Sequence, residues 1–199
     1  NNGTLEIVPS ADGRTPNVRP ITKQDVLNAG FQPEAAASVT IMHTNDVHGR
    51  MEGNGKDVLG SARLKTYKDQ NTPDLLIDAG DAFQGLPISN FSKGMDMVDI
   101  MNEVGYDAMA VGNHEFDFGF DTALQYKEKL NFPLLSNNIY KDGQRVFEPY
   151  TLIEKRGRKY AVIGVTTPET ATKTHPNNIV GVTFAEPIDE TKKVIQHLK

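Results

Sequence analysis

Cysteine is absent from all 199 residues of the sequence, and its absence removes several kinds of chemistry at once. Disulfide bridges, zinc sites built from thiolates and catalysis by a cysteine nucleophile are excluded. The compartment is left open, because many secreted bacterial proteins also dispense with cysteine. The chain starts at Asn1, without methionine or a signal-type apolar segment, as a mature or trimmed fragment would, and this favours an extracellular protein.

Long apolar runs and an excess of basic residues are missing as well. No apolar run approaches the roughly 20 residues needed to cross a bilayer, so we expect no membrane span in this chain. The formal net charge of -5 argues against a general binder of nucleic-acid polymers, since such a protein needs a basic face to neutralise phosphates. A small anionic substrate would have to be bound through metal ions or a few well-placed cations.

The composition and the apolar pattern of the chain change near residue 38. Residues 1–37 are rich in Asn, Gly, Pro, Ser and Thr and lack apolar periodicity, which predicts a polar tail or linker with one short helix between Thr22 and Gly30. Residues 38–199 alternate short apolar runs with amphipathic stretches, as α/β units with buried strands do. We expect this second segment to belong to one α/β domain.

Apolar runs and turn residues predict the individual elements. Strands are expected at residues 39–42, 75–77, 108–111 and 133–135, and helices at residues 61–68, 95–104, 122–130 and 186–198. Gly105 is expected to end the second helix as its C-cap. Residues 150–153 and 159–165 flank a glycine-containing turn, which predicts a β-hairpin.

Polar motifs follow the first three predicted strands. Asp46 and His48 come after the first strand, and open α/β sheets carry their ligand sites beyond the carboxyl ends of their strands. A carboxylate and an imidazole at this spacing suit Mn, Fe or Zn. The alternative is an ordinary loop aspartate beside a surface histidine.

The second motif, Gly80 and Asp81, follows the second strand. Gly80 would allow a tight turn that brings Asp81 to the same crevice, where its two carboxylate oxygens could bridge two cations. A turn aspartate or an N-cap aspartate is the alternative. Asp78, at the end of the strand, is expected to have a structural role and no metal.

The third motif contains Asn113, His114 and Asp117. The amide oxygen of Asn113 is a neutral ligand suited to a second metal that shares Asp81. His114 is then free to contact the substrate, and Asp117 lies one helical turn on, where its carboxylate can orient the imidazole and raise its proton affinity. A structural loop is the alternative. Because successive strand ends deliver such residues to one sheet edge, we predict a metal site there.

Together, the motifs Asp-x-His, Gly-Asp and Gly-Asn-His-Glu resemble those of the calcineurin-like metallophosphoesterase superfamily. The similarity to its 5′-nucleotidase branch lies in residues 44–49 and 112–117. The resemblance to the cell-wall-anchored adenosine synthases of Gram-positive cocci lies in residues 78–87, 106–119 and 164–170. It implies a layered αββα sandwich, of which residues 38–199, as the N-terminal part of the catalytic domain, would hold the complete first sheet and part of the second.

The resemblance also implies how the motifs would hold two divalent metal ions. Asp46 and His48 would bind one cation, Asp81 would bridge both, and Asn113 would bind the second. The metals would be Mn, Zn, Mg or Fe. Two such cations, roughly 3.5–4 Å apart, can generate hydroxide near neutral pH for in-line attack on a phosphoryl group.

The same resemblance gives His114 and Asp117 the catalytic roles. His114, held by Asp117, would stabilise the phosphoryl oxygens or protonate the leaving alkoxide, and Asn113 and His114 would both contact the substrate. The family pattern includes two further histidine motifs and a C-terminal nucleoside-binding domain. None of these occurs in the sequence, so we expect this chain to need the missing part of its catalytic domain and the nucleoside-binding domain as partners.

The activity implied is that of a 5′-nucleotidase, which converts extracellular AMP, ADP or ATP to adenosine at an extracellular or cell-wall-anchored location. Related branches cleave 2′,3′-cyclic nucleotides or nucleotide sugars with the same ligands, so these substrates stay open. A function of another class also stays open, that of a non-catalytic surface fragment retaining half a metal site.

Overall fold

A parallel β-sheet organises the part of the chain that this computed structural model describes, residues 38–199. The predicted tail at residues 1–37, with its short helix, lies outside the described residues. The strands of the sheet are Ile41–Thr44 (β1), Leu75–Asp78 (β2), Ala108–Ala110 (β3) and Leu134–Leu135 (β4). They pair in this order, and every pairing is parallel. Their carboxyl ends therefore meet at one edge of the sheet.

Helices connect successive strands of the parallel sheet. They are Ser61–Asn71 (α1), Pro87–Phe91 (α2), Met95–Val104 (α3) and Phe120–Lys129 (α4), with a 3-10 helix at His114–Phe116. In α3 the apolar residues at 97, 98, 101 and 104 share one face of the helix, and all four are buried. Gly105 follows α3 in the left-handed conformation, with φ 78°, and is the predicted C-cap.

The hydrophobic core joins the parallel sheet to α3, α4 and the loops beyond the strands. Leu76 and Met109 contribute from the sheet, and Tyr126 contributes from α4. Phe83 and Phe116 are fully buried in the same core, although both lie outside the strands. Burying a side chain of this size contributes roughly 1.5–3 kcal/mol. The loops after β2 and β3 are thus anchored by an aromatic residue each.

The rest of the described chain forms antiparallel pairs and two further helices. Its elements are Ile139–Lys141 (β5), Gln144–Arg145 (β6), Tyr150–Lys155 (β7), Arg158–Ile163 (β8), Thr170–Lys173 (α5), Val182–Phe184 (β9) and Pro187–Leu198 (α6). β5 pairs with β6 and β9, and β7 pairs with β8 in the predicted hairpin. The short strands β5, β6 and β9 are absent from the prediction, because none of them is a continuous apolar run like those that mark β3 and β4.

Asn137 and Asn138 connect β4 to these later elements. Asn138 is buried, donates to the carbonyl oxygens of Thr166 and Ala185, and accepts the amide of Thr166. Asn137 is also buried, and its amide group donates to the hydroxyl of Thr191 in α6. The two asparagines thus hold the parallel sheet against the second part of the described domain.

The prediction is wrong about where β1 lies. It is expected at residues 39–42 but forms at Ile41–Thr44, because the parallel register pairs His43 and Thr44 with the end of β2. His43 and Thr44 are polar, so a pattern of apolar residues does not identify them as part of the strand. Thr40 instead contacts Asp74, the residue before β2: its amide donates to the carboxylate of Asp74, and its carbonyl accepts the amide of Asp74. The ends of α1 and α4 are also shifted, by up to three residues.

The helix α6 has 12 residues and is the longest in the described range. It buries Glu190 and Val194 and leaves Ile188 and Ile195 exposed. Within residues 38–199, no helix combines the length and the apolar character needed to cross a membrane.

Candidate active site

The loops after β1 and β2 lie side by side beyond the edge of the parallel sheet. The amide of Asp46 donates to the carbonyl of Gly80, and the amide of His48 donates to the carbonyl of Asp81, both at 3.0 Å. Parallel pairing therefore continues past the strands. It brings the Asp-x-His motif and the Gly-Asp motif next to each other.

Asp46, His48 and Asp81 have left-handed backbone conformations, with φ of 52°, 50° and 61°. Such values are uncommon for residues with a Cβ and cost on the order of 1–3 kcal/mol each. Strain of this kind persists only where the surrounding structure fixes it. The interloop hydrogen bonds and the buried Phe83 supply that constraint here.

Glycines let the loops approach without side chains between them. A Cβ on Gly80 would lie 2.7 Å from the amide nitrogen of Gly112, and a Cβ on Gly112 would lie 2.3 Å from Oδ1 of Asp81. Contacts this short are not tolerated between such atoms, so both positions require glycine. The loops after β2 and β3 pack directly on each other as a result.

The side chains of His48, Asp81 and His114 form a group of potential metal ligands, with ligand atoms all within 4.8 Å of one another. Asp46 adjoins this group, because its Oδ1 lies 3.7 Å from Nε2 of His48. The Nδ1 atom of His48 is 2.9 Å from the carbonyl oxygen of Gln84. A carbonyl only accepts, so Nδ1 is the donor in this contact, and Nε2 is the ring nitrogen on the side of Asp46. These imidazole and carboxylate donors fit a first-row divalent cation.

His114 is paired with Asp117, as their spacing predicts: its Nδ1 lies 2.6 Å from Oδ2 of Asp117. Partial burial lowers the pKa of His114, but the hydrogen bond to Asp117 and the nearby negative charges of Asp81 and Glu115 outweigh it, so the pKa is raised. The backbone amide of His114 also donates to Oδ1 of Asp81 at 2.8 Å. The rings of His48 and His114 meet edge to face, with centroids 4.9 Å apart.

Asn113 lies at the start of the 3-10 helix that carries His114. Its backbone is held there, because its carbonyl accepts the amide of Phe116 and the hydroxyl of Thr174. Asn178 makes a similar contact, donating from Nδ2 to the carbonyl of Asp117 at 2.9 Å. The segment at 174–178 therefore braces the 3-10 helix from outside. The sequence contains no local signal for these contacts, which join residues 61 positions apart.

Two buried carboxylates lie behind the site. Burial raises the pKa of Asp78 to about 6, although hydrogen bonds from the Thr44 hydroxyl and the Gly80 amide favour its charged form. Burial also raises the pKa of Glu115, although three hydrogen bonds from backbone amides favour its charged form. Neither belongs to the ligand group. Glu115 is the residue that sequence reasoning missed, although it stands inside the Gly-Asn-His-Glu motif.

The remaining histidines lie outside the ligand group. His43 is exposed on β1, His175 is exposed in a loop and caps a short 3-10 helix, and His197 is exposed on α6, where its ring meets Tyr150 at 6.2 Å between centroids. Among the phenylalanines, Phe91 differs from the buried core rings, since its side chain is 94% exposed.

An α/β domain that gathers imidazoles and carboxylates at the carboxyl edge of a parallel sheet, with one imidazole supported by an aspartate, has the arrangement typical of metal-dependent hydrolases. The family described as "Calcineurin-like phosphoesterase" matches residues 39–198. The chain therefore belongs to the calcineurin-like phosphoesterase family. This confirms the predicted family, the α/β fold class and a hydrolase as the type of enzyme.

The chain is 42% identical over 179 residues to a 5′-nucleotidase of Vibrio cholerae, covering 85% of this chain and 32% of the relative. It is 38% identical over 179 residues to protein UshA of Escherichia coli K12, with the same coverage. The crystal structure of a 5′-nucleotidase precursor from Thermus thermophilus has a TM-score of 0.69 and 29% identity, covering 80% of this chain and 34% of that one. The chain spans about a third of the length of these relatives.

Proposed function

We propose that the protein releases phosphate from nucleotides by hydrolysis, cleaving the terminal anhydride bonds of ADP and ATP and the phosphate monoester of AMP, with adenosine as the final product. The observation that carries this proposal is the group formed by His48, Asp81 and His114, in which His114 is also paired with Asp117. The names of the relatives support a nucleotide as the substrate. Adenosine as the product and an extracellular or cell-wall location rest on the sequence resemblance.

The proposed site takes two divalent cations, of Mn, Zn, Mg or Fe. Asp46 and His48 would hold one, Asn113 the other, and Asp81 both. When bound, such cations polarise a phosphoryl oxygen and lower the pKa of water. The protein itself contributes the rigid placement of the ligands, since the loops that carry them are hydrogen-bonded to each other and anchored by Phe83.

His114 would act on the phosphate group. Its Nδ1 proton is held by Asp117, so its Nε2 is the atom left to face a substrate. The raised pKa of His114 keeps a proton on Nε2 at higher pH than an isolated imidazole would. That proton can be donated to a phosphoryl oxygen or to the leaving alkoxide. Asn113, next in the chain, would contact the same substrate.

Phosphate release by the full-length protein tests this function. With Mn²⁺ present, AMP, ADP and ATP should be hydrolysed faster than 2′,3′-cyclic AMP or UDP-glucose. Asp81→Ala should abolish release, whereas Asp121→Ala, at an exposed position of α4, should leave it unchanged. Preferred turnover of the cyclic nucleotide or of the nucleotide sugar would replace the substrate assignment, and no turnover at all would support a non-catalytic module.

A further inference from the structure

Glu115 is a carboxylate that the proposed reaction does not use, yet it is completely buried at 0% exposure. Both of its oxygens accept backbone hydrogen bonds. Oε1 accepts the amide of Ala82 at 3.0 Å, and Oε2 accepts the amides of Asp81 at 2.9 Å and Gly112 at 2.7 Å. A buried carboxylate is costly unless it is hydrogen-bonded in this way, so these contacts fix its position.

The three donors come from two different loops. Asp81 and Ala82 follow β2, and Gly112 follows β3, so a single side chain joins the Gly-Asp motif to the Gly-Asn-His-Glu motif. Asp81 returns the contact, because its Oδ1 accepts the amide of His114 at 2.8 Å. The two acidic residues therefore bridge the loops crosswise, each accepting amides from the segment that carries the other.

This crosswise bridge holds Asp81, the residue that is proposed to bind both cations. Asp81 has the strained φ of 61°, and Glu115 is bonded to its amide nitrogen, directly beside the strained bond. Gly112 lies so near that a Cβ there would meet Oδ1 of Asp81 at 2.3 Å. The orientation of the Asp81 carboxylate relative to His114 thus depends on the spacing of two loops, and Glu115 accepts hydrogen bonds from both of them.

Only a carboxylate of this length can accept all three amides. A glutamine has one accepting oxygen, and its NH₂ group would face an amide donor. In one orientation of the glutamine the amide of Ala82 loses its acceptor, and in the other the amides of Asp81 and Gly112 both lose theirs. Glutamine would therefore preserve the size of the side chain and break the connection between the loops.

We propose that Glu115 is a positioning residue for metal binding: its buried carboxylate holds the Asp81 loop where the Asp81 carboxylate can bind a divalent cation together with the other proposed ligands. This inference rests on the proposed metal site. It assigns no contact with metal or substrate to Glu115 itself.

The test compares Glu115→Gln with Glu190→Gln in the full-length protein. Glu190 is also a buried glutamate, paired with Arg145 and Lys193 in the second part of the domain. Isothermal titration with Mn²⁺ gives the metal affinity, and hydrogen–deuterium exchange of peptides spanning residues 79–84 and 110–114 reports the amides. Glu115→Gln should weaken Mn²⁺ binding by about 10- to 100-fold, as loss of a residue that orients metal ligands does. It should also speed exchange in both peptides.

Glu190→Gln should lower stability and leave Mn²⁺ affinity and both peptides unchanged. Wild-type affinity in Glu115→Gln, or an equal loss in both variants, would overturn the positioning role, and so would a wild-type protein that binds no Mn²⁺. Failure of the proposed function is a separate result: the wild-type protein would bind Mn²⁺ with Glu115-dependent affinity and still release no phosphate from AMP.

Discussion

The Nδ1 atom of His114 lies 2.6 Å from Oδ2 of Asp117, three residues along the same short helical segment. The contact fixes which ring nitrogen faces the aspartate and raises the pKa of the imidazole despite its partial burial. The pair that we propose as the proton donor is therefore formed by two residues close together in the sequence. Contacts from residues distant in the sequence, such as Asp81, Thr174 and Asn178, fix the position of this pair in the site.

Asp117→Asn should remove the charge that raises the pKa of His114 while keeping the shape of the side chain. Because the protonated imidazole is then lost at lower pH, the alkaline fall of kcat should move to lower pH, and kcat at neutral pH should drop by about 100-fold. Phosphate release from AMP across a pH series measures both effects. Asp121→Asn, exposed on α4, is the matched control. An unshifted pH profile in Asp117→Asn would exclude the proposed pairing.

Asn178→Ala should loosen the 3-10 helix without touching a proposed ligand. It removes one hydrogen bond to the carbonyl of Asp117, with a loss of about 0.5–1.5 kcal/mol in the free energy of unfolding. We expect a several-fold lower kcat with little change in KM for AMP. The neighbouring exposed Asn177 supplies the control variant, Asn177→Ala. If both variants behave alike, the brace at 174–178 has no role in placing Asp117.

Gly80→Ala should disrupt the contact between the loops after β2 and β3. Gly80 and Gly143 both have positive φ, at 104° and 80°, so alanine meets backbone strain at either position. Only at Gly80 would the new Cβ also meet another backbone atom, 2.7 Å away at Gly112, because the space around Gly143 is open. Urea unfolding should show an extra loss of about 1–3 kcal/mol for Gly80→Ala over Gly143→Ala. If both variants lost the same free energy of unfolding, the two loops could move apart without destabilising the protein, contrary to this prediction.

Glu190 should make the stability of the fold depend on pH at the acid end. Its carboxylate accepts hydrogen bonds from Lys193, Tyr140 and Arg145, which hold its pKa below its usual value. A lowered folded-state pKa gives stability that is present above the unfolded-state pKa and is lost as the pH falls through the folded-state value. Glu190→Gln should therefore reduce the free energy of unfolding more at pH 7 than at pH 3. A pH-independent difference would contradict this.

Much of the fold could be predicted because the parallel strands β2 and β3 are short apolar runs with turn residues beyond them. The same logic grouped Asp46, His48 and Asp81, since parallel strands end at a common edge. The position of β1 was missed where polar residues complete it. The polar residues that directly follow a strand can be predicted, because they lie next to the apolar run that marks the strand.

The contacts that hold the site could not be predicted, because they are not local. Glu115 accepts hydrogen bonds from amides 34 and 33 positions away in the sequence. Thr174 and Asn178 donate to the carbonyls of Asn113 and Asp117, which are 61 positions away. No periodicity or spacing marks such pairs. They follow from how the loops pack once the sheet has formed, and they become visible only in three dimensions.

The left-handed backbone of Asp46, His48 and Asp81 has an evolutionary consequence. Glycine would remove the backbone strain at each of these positions, since it adopts positive φ without steric cost. Each such change would also delete a side chain that the proposed site requires. Selection for stability and selection for activity therefore favour different residues at the same positions. A lineage that lost the activity should accumulate glycines there first, so glycine in these three places would identify relatives that have abandoned catalysis.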